Sequence, residues 1–329
     1  MTQNHPIGRD SAAAEIGATL KYCDKGGEAA ARPPAMQAYA ELHCISNFTF
    51  LRGASFPEEL VERAEQLGYG AIAITDECSL SGVVRAHMAA KQRHIKLIIG
   101  SEFVLQDKAP AGVDAAPYDG MRIVLLAFNR TGYGELSHLI SCARRRAAKG
   151  EYRIDSKLLQ DKFPNDCALL WIPSLEQSDA CIESQAGYLR ALTADNLWIA
   201  AELLLNGHDR LHLRRLQQLG SSFDIPLCAA GGVYMHEAGR RILQDTLTAI
   251  RLVKPLAEIG FAAEPNSQRP LRSIEQLRKL YPASLLEESL AIANRCNFSL
   301  DELRYEYPSE LVPKGHTAHT WLWQLTREG

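Results

Sequence analysis

The strongest constraint on the fold of this chain is a rhythm of short apolar runs separated by helix-length segments. Strand candidates fall at Tyr39–His43, Ala71–Thr75, Ile95–Ile99, Ile123–Ala127, Ala168–Ile172, Leu197–Ala201 and Pro226–Ala229. A half-exposed strand alternates polar and apolar residues, whereas Ala71-Ile-Ala-Ile is apolar at every position. Such a strand must be covered on both faces, as in a parallel sheet wrapped by helices. Between the runs, Leu60, Ala64 and Leu67 recur at helical spacing, and Gly68 stands where a helix stops. Ser55-Phe-Pro-Glu58 predicts a capping box for that helix. Further helices are expected near 82–91 and 132–146. About seven alternations predict an α/β fold with a parallel sheet, open or closed into a barrel.

The rhythm changes after Tyr234. Helices are expected at Glu237–Leu252, Ser273–Leu280 and Pro282–Cys296, separated by proline-containing linkers. Residues 1–37 are polar and alanine-rich, with Gly26-Gly27 and Pro33-Pro34, and read as a disordered leader. The expected organisation is therefore leader 1–37, barrel domain 38–235, helical extension 236–300, and the start of a further domain at 301–329. Thr320–Gly329 reads as a helix broken off rather than completed.

Of the 329 residues, 46% are hydrophobic and 23% charged, enough for a full globular core. A net charge of -3 argues against a surface dedicated to coating nucleic acid, although a neighbouring domain could carry a basic groove. The eight cysteines form no CxxC pair, which suits reduced thiols in the cytoplasm. No apolar run is long enough to span a membrane, and the first residues have no secretory apolar segment.

In such sheets, functional groups gather at the carboxyl ends of the strands. Three strands run into polar donors there: His43, Asp76 and Glu102. An imidazole and two carboxylates on one rim could converge on a metal ion; polar strand ends also serve merely to cap helices or bind backbone. His87, His94, His138, His208 and His212 read as solvated, and Cys44 and Cys78 as small buried thiols. Arg144-Arg145-Arg146 with Lys149 and Arg153 reads as a solvated helix face, with a phosphate or interdomain contact as the lesser option. No P-loop, GxGxxG fingerprint or Ser-His-Asp motif stands out, and no strand candidate carries an Asp-x-Asp pair.

Longer motifs carry a resemblance. Ala40-Glu-Leu-His-Cys-Ile-Ser-Asn-Phe-Thr-Phe-Leu-Arg-Gly-Ala-Ser55 and Ala73-Ile-Thr-Asp-Glu-Cys-Ser-Leu-Ser-Gly-Val-Val-Arg85 resemble the opening of error-prone, DnaE-type (C-family) DNA polymerases. Leu97-Ile-Ile-Gly-Ser-Glu-Phe103, Gln244-Asp-Thr-Leu-Thr-Ala-Ile-Arg251 and Phe298-Ser-Leu-Asp-Glu-Leu-Arg-Tyr-Glu-Tyr-Pro308 continue it, so that it covers about residues 38 to 329. The resemblance implies a PHP (polymerase and histidinol phosphatase) domain, a distorted TIM-like barrel of about seven βα units. Metal-replete members hold up to three ions at the strand ends and activate water for phosphoester hydrolysis, in polymerases as a proofreading exonuclease.

Carried over position by position, His43, Asp76 and Glu102 match ligands of that site. The second histidine of the pair is replaced by Ile45, the aspartate before the glycine by Arg52, and the Asp-His pair reads Asp76-Glu77. Arg122 and Ile172 stand near two further ligand places, and the last Asp-x-His reads Gly232-Val-Tyr234. The expectation is a degenerate site in which Arg52 pairs with Asp76, Glu77 or Glu102 in place of metal. Glu77 could still help hold one weak zinc or manganese ion. No cofactor is expected in this chain; magnesium would belong to a polymerase core beyond it. The resemblance further implies DNA as a partner through that core, with a sliding clamp and accessory mutagenesis proteins as candidates. It also implies replication, repair and damage-induced translesion synthesis. The alternatives are a working metal-dependent PHP phosphoesterase or 3′–5′ exonuclease, and an unrelated αβ-barrel enzyme acting on a small molecule.

Overall fold

A computed structural model describes residues 39–107, 118–174, 177–193, 195–263, 266, 268–304 and 312–328. The leader read at 1–37 and the Tyr305–Pro308 end of the last motif lie outside the described residues. The strands are β1 (Ala40–Glu41), β2 (Ala71–Ile74), β3 (Lys96–Val104), β4 (Arg122–Ala127), β5 (Cys167–Ile172), β6 (Leu197–Glu202) and β7 (Leu227–Ala230). Between and after them run α1 (Pro57–Gln66), α2 (Val83–Arg93), α3 (Arg130–Arg145), α4 (Ser156–Asp161), α5 (Asp179–Leu192) and α6 (Asp209–Phe223). They are followed by α7 (Arg241–Leu252), α8 (Ile274–Leu280), α9 (Ala283–Arg295) and α10 (Ala318–Glu328).

The seven strands pair in sequence order, β1 through β7. Beyond β7 and β1 the chain pairs again: Ile45 N–H donates to Val233 O at 2.9 Å and Val233 N–H to His43 O at 3.0 Å. This parallel bridge brings the two edges together, giving a nearly closed α/β barrel of the expected distorted TIM-like kind.

The sheet is not wholly parallel, as the apolar runs had implied: β4 is antiparallel to both β3 and β5. A parallel return needs a crossover of a dozen or more residues, usually helical. Here β4 lies against β3 in the opposite sense, with Leu105 N–H donating to Met121 O and Gly120 N–H to Leu105 O, both at 2.9 Å. Pro110, Gly112, Pro117 and Gly120 in the connecting sequence disfavour a helix. Because β4 is reversed, its first residue, Arg122, reaches the rim where the other strands end.

Alternation along each strand sorts the core into two layers. Inward-facing Ala73, Ile98, Val124, Leu170, Trp198, Ala200 and Ala230 fill the barrel, and Ile292, Ala293 and Cys296 around α9 join that cluster. Outward-facing Ile72, Ile74, Leu125, Leu169, Trp171 and Ile199 pack under Leu60, Leu136, Leu139 and Leu189 of the helices. The cysteines among the described residues are free thiols.

The helix start at α1 differs from the expected capping box. Pro57 takes the first helical position, where its missing N–H costs nothing. The start therefore shifts by one residue, and Glu59, not Glu58, accepts from the Phe56 N–H at 2.9 Å. Ser55 is left to bond His236 through Oγ, to Nδ1 at 2.8 Å and from the backbone N–H at 2.9 Å.

Candidate functional site

The inner-face period of two continues past the packed core to one rim. Ile98-x-Gly100-x-Glu102, Ala168-x-Leu170-x-Ile172 and Trp198-x-Ala200-x-Glu202 end there, and reversed β4 arrives as Leu126-x-Val124-x-Arg122. Arg122 and Ile172 are directly paired across β4 and β5. The top layer of the barrel is thus charged where the layers beneath are aliphatic.

His43 is fully buried and sits between two carboxylates. Its Nδ1 lies 2.5 Å from Glu202 Oε1, and its Nε2 lies 2.8 Å from Glu102 Oε2. An imidazole facing an acceptor at each nitrogen is held as the doubly protonated cation. Burial opposes that charge, but Glu202 and Glu102 outweigh it and push the His43 pKa up to about 9. Burial likewise works against the Glu202 carboxylate, yet His43 and Arg122 bring its pKa down to about 2. Against the same desolvation, Arg122, His43 and Arg52 hold Glu102 well below the usual carboxylate range.

Arg52 enters this layer from the loop after β1. Its Nη1 donates to Glu77 Oε2, while Nη2 reaches Glu102 Oε1 at 3.3 Å and the Tyr234 hydroxyl at 3.0 Å. Arg122 lies 3.5 Å from Glu102 and 3.9 Å from Glu202. The Tyr152 hydroxyl donates to Glu77 Oε1 at 2.7 Å. Tyr234 stacks beneath Arg269, whose guanidinium carbon is 4.2 Å from the ring centroid. Arg144, read from sequence as part of a solvated face, instead donates from Nε to Cys78 O at 3.1 Å and from Nη2 to Glu77 O at 3.3 Å. It buttresses the segment that presents Glu77.

Of the three strand-end donors, the structure brings His43 and Glu102 together but engages Asp76 elsewhere. Asp76 accepts from Ser46 N–H, Ser46 Oγ and Thr49 Oγ1, each at 2.8 Å. Burial raises its pKa against those hydrogen bonds. It fastens the loop that carries Arg52, and of the three expected partners Arg52 takes Glu77 and Glu102. Gly82 packs against it so closely that a Cβ would stand 2.6 Å from Asp76 Oδ2. Ile45 is buried, and its backbone N–H donates to Val233 O.

Sequence reasoning missed Glu202, although the rule that found Glu102 would have found it one residue beyond Leu197–Ala201. Its carboxylate takes the space above Gly232, where φ is +56° and a Cβ would lie 2.8 Å from Glu202. Beside Glu202 and Arg122 opens a cleft of about 510 Å³ whose walls include Ile172, His208, His212 and Arg269. His212, expected to be merely solvated, has a pKa lowered by burial at this wall.

As arranged, these side chains offer a metal ion no open set of lone pairs. Both His43 nitrogens face carboxylates, and Glu77, Glu102 and Glu202 oppose Arg52, Arg122 and His43 in equal number. Among the described residues, no group of three or more His, Cys, Asp or Glu side chains is placed to hold a metal ion.

A charged layer crowning a nearly closed βα barrel defines the class, and the PHP domain family model matches residues 41–210. The chain belongs to the PHP domain family. More particularly, it is similar to the error-prone DNA polymerase of Methylococcus capsulatus, with 53% identity over 291 residues, 88% of this chain and 26% of the relative. The error-prone DNA polymerases of Dechloromonas aromatica (49% over 295 residues, 88% of this chain and 27% of the relative) and Pseudomonas fluorescens (46% over 294 residues, 89% and 27%) are similar too. The chain spans little more than a quarter of the length of these relatives. Among the described residues no helix is long and apolar enough to cross a membrane.

Proposed function

We propose that this chain is the PHP module of an error-prone DNA polymerase and that its rim is structural, closed by an internal ion network in place of a metal cluster. The observation that supports this is the commitment of both His43 ring nitrogens to Glu202 and Glu102. Water activation by a metal needs imidazole and carboxylate lone pairs turned toward a shared centre. Here those groups turn toward one another and toward guanidiniums that carry a permanent positive charge. The module orders the loops around the rim, and nucleotidyl transfer belongs to a magnesium-bearing core outside this chain.

In this reading DNA is met through that core, with a sliding clamp and accessory mutagenesis proteins as further partners. The setting is damage-induced translesion synthesis in the cytoplasm. The second reading, a metal-dependent PHP phosphoesterase or 3′–5′ exonuclease, draws on the cleft that opens beside Glu202. Metal analysis of the dialysed chain, run with digestion of a 3′-labelled primer, separates the two. The structural reading expects far less than one zinc or manganese per chain, no trimming of the primer and no dNTP incorporation. Near-stoichiometric metal, with chelator-sensitive trimming lost in His43→Ala, would establish the second reading instead.

A further inference from the structure

The cleft beside the rim gathers three guanidiniums, Arg122, Arg215 and Arg269, around a volume of about 510 Å³. That volume falls in the range of about 300–1,000 Å³ typical of small-molecule sites. Arg122 reaches Glu102 and Glu202 only at 3.5 and 3.9 Å, so the rim does not saturate its fork of donors. Arg215 pairs with Asp179 at 2.7 Å, a contact that solvent weakens because Asp179 is exposed. The carboxylates on the cleft walls are Glu202 and Asp209. Glu202 is already held by His43. Helix α6 begins at this wall, and its N-cap residue, His208, supplies no side-chain cap. Asp209, the acid of its first turn, accepts instead from the Leu205 N–H ahead of the helix, at 3.0 Å. The positive end of a 15-residue helix therefore opens on the same space as the arginines. The remaining wall includes Ile172, Pro173, Leu204 and Leu211, and Leu211 is 54% exposed.

We propose that this cleft binds a nucleoside monophosphate without metal. Arg122, Arg215 and the first amides of α6 hold the phosphate, and the base lies on the Leu204 and Leu211 wall. Planar guanidiniums match phosphate oxygens two at a time and keep their charge at any working pH. The start of a helix adds N–H donors aimed at the same anion. Inorganic phosphate alone would leave most of the volume and the whole apolar wall wet. A chain of phosphates would meet repulsion from Glu202 and Asp209, so a single phosphate suits the charge balance best. No bond is made or broken in this step. The inference rests on reading the rim as metal-free.

Calorimetric titration of the 329-residue chain in excess chelator tests it, with deoxyadenosine 5′-monophosphate, inorganic phosphate and deoxyadenosine as separate probes. The monophosphate binds once per chain and is recovered intact, while phosphate and deoxyadenosine each bind far more weakly. Arg215→Gln removes one charge-assisted contact and weakens the monophosphate by about tenfold or more. Arg214→Gln removes an exposed charge of α6 that does not line the cleft, and it leaves the affinity unchanged. Urea midpoints confirm that both variants fold. Phosphate binding as tightly as the monophosphate would overturn the proposal, and so would an unaltered affinity in Arg215→Gln. No binding either in chelator or with added zinc or manganese would overturn it and leave the metal-free rim standing. Binding that appears only with added metal, with phosphate released from the probe, would overturn the reading of the rim itself.

Discussion

The two ends of the barrel are closed by opposite means. At one end Ile292, Ala293 and Cys296 join the aliphatic interior around Trp198 and Ala200. At the other, His43, Glu102, Glu202, Arg52 and Arg122 close the mouth with charge. Apolar closure is non-directional, and its loss scales with the volume removed. Ionic closure holds only while every partner is present, because a buried charge left alone keeps its desolvation penalty. Sheet alternation places Trp198, Ala200, Glu202, Glu102 and Arg122 on the same inner face, so along the strands chemistry and not backbone geometry distinguishes the two ends.

The sharpest way to break this comparison is to remove one member of the charged layer. Glu102→Ala takes from His43, Arg52 and Arg122 the one partner they share, leaving Glu77 and Glu202 to face three cations, and is expected to cost about 3–5 kcal/mol, read from urea unfolding. A loss no larger than that of an exposed control would mean the layer is not coupled.

The next effect is pH dependence, which only the charged end should show. The His43 pKa is raised in the folded chain, so its contribution is complete below the unfolded value near 6.5 and fades as pH rises through about 9. Glu202 is depressed, so its contribution is complete above its ordinary 4.5 and fades as pH falls through about 2. Stability from this network is therefore fullest between these limits, and the alkaline arm is worth about 3 kcal/mol. Unfolding curves across this range should lose their alkaline arm in His43→Ala. Persistence of that arm would assign it to another group.

Trimming the apolar end is expected to do less. Ile292→Val should cost about 1 kcal/mol, by the same amount at pH 6 and pH 9. A pH-dependent loss would mean that the two ends are not independent. Smallest of all, Ile250→Glu on α7, where the residue is 56% exposed, should change the stability of this chain by less than about 0.5 kcal/mol. A large loss there would show that Ile250 is packed within this chain.

Much of this was legible in the sequence because doubly buried strands leave unbroken apolar runs. Ala71–Ile74 and Leu197–Ala201 could hardly be anything else. The direction of β4 was not legible, since Ile123–Ala127 is equally apolar whichever way it runs; only the proline- and glycine-rich connection before it held a hint. At the rim, Arg52 was readable as a cation placed among acids, and Glu77 and Glu102 are its partners. Asp76 was grouped with the wrong neighbours because a strand-end position fixes the rim but not which donors a loop brings. Ser46 and Thr49 reach it first. The shift of α1 by one residue has a similar cause, because Ser55 and Pro57 both qualify as helix starters and only tertiary contact with His236 decides between them.

The central claim is that ions fixed within the protein, and no bound metal, hold the mouth of the barrel together. Urea unfolding of the 329-residue chain in excess chelator, and again with added zinc or manganese, tests it most directly. A ligand that binds the folded state at 100 times its Kd stabilises by about 2.7 kcal/mol, so a resident metal could not escape notice. The account predicts coincident curves. A midpoint that falls in chelator and recovers with metal would contradict it.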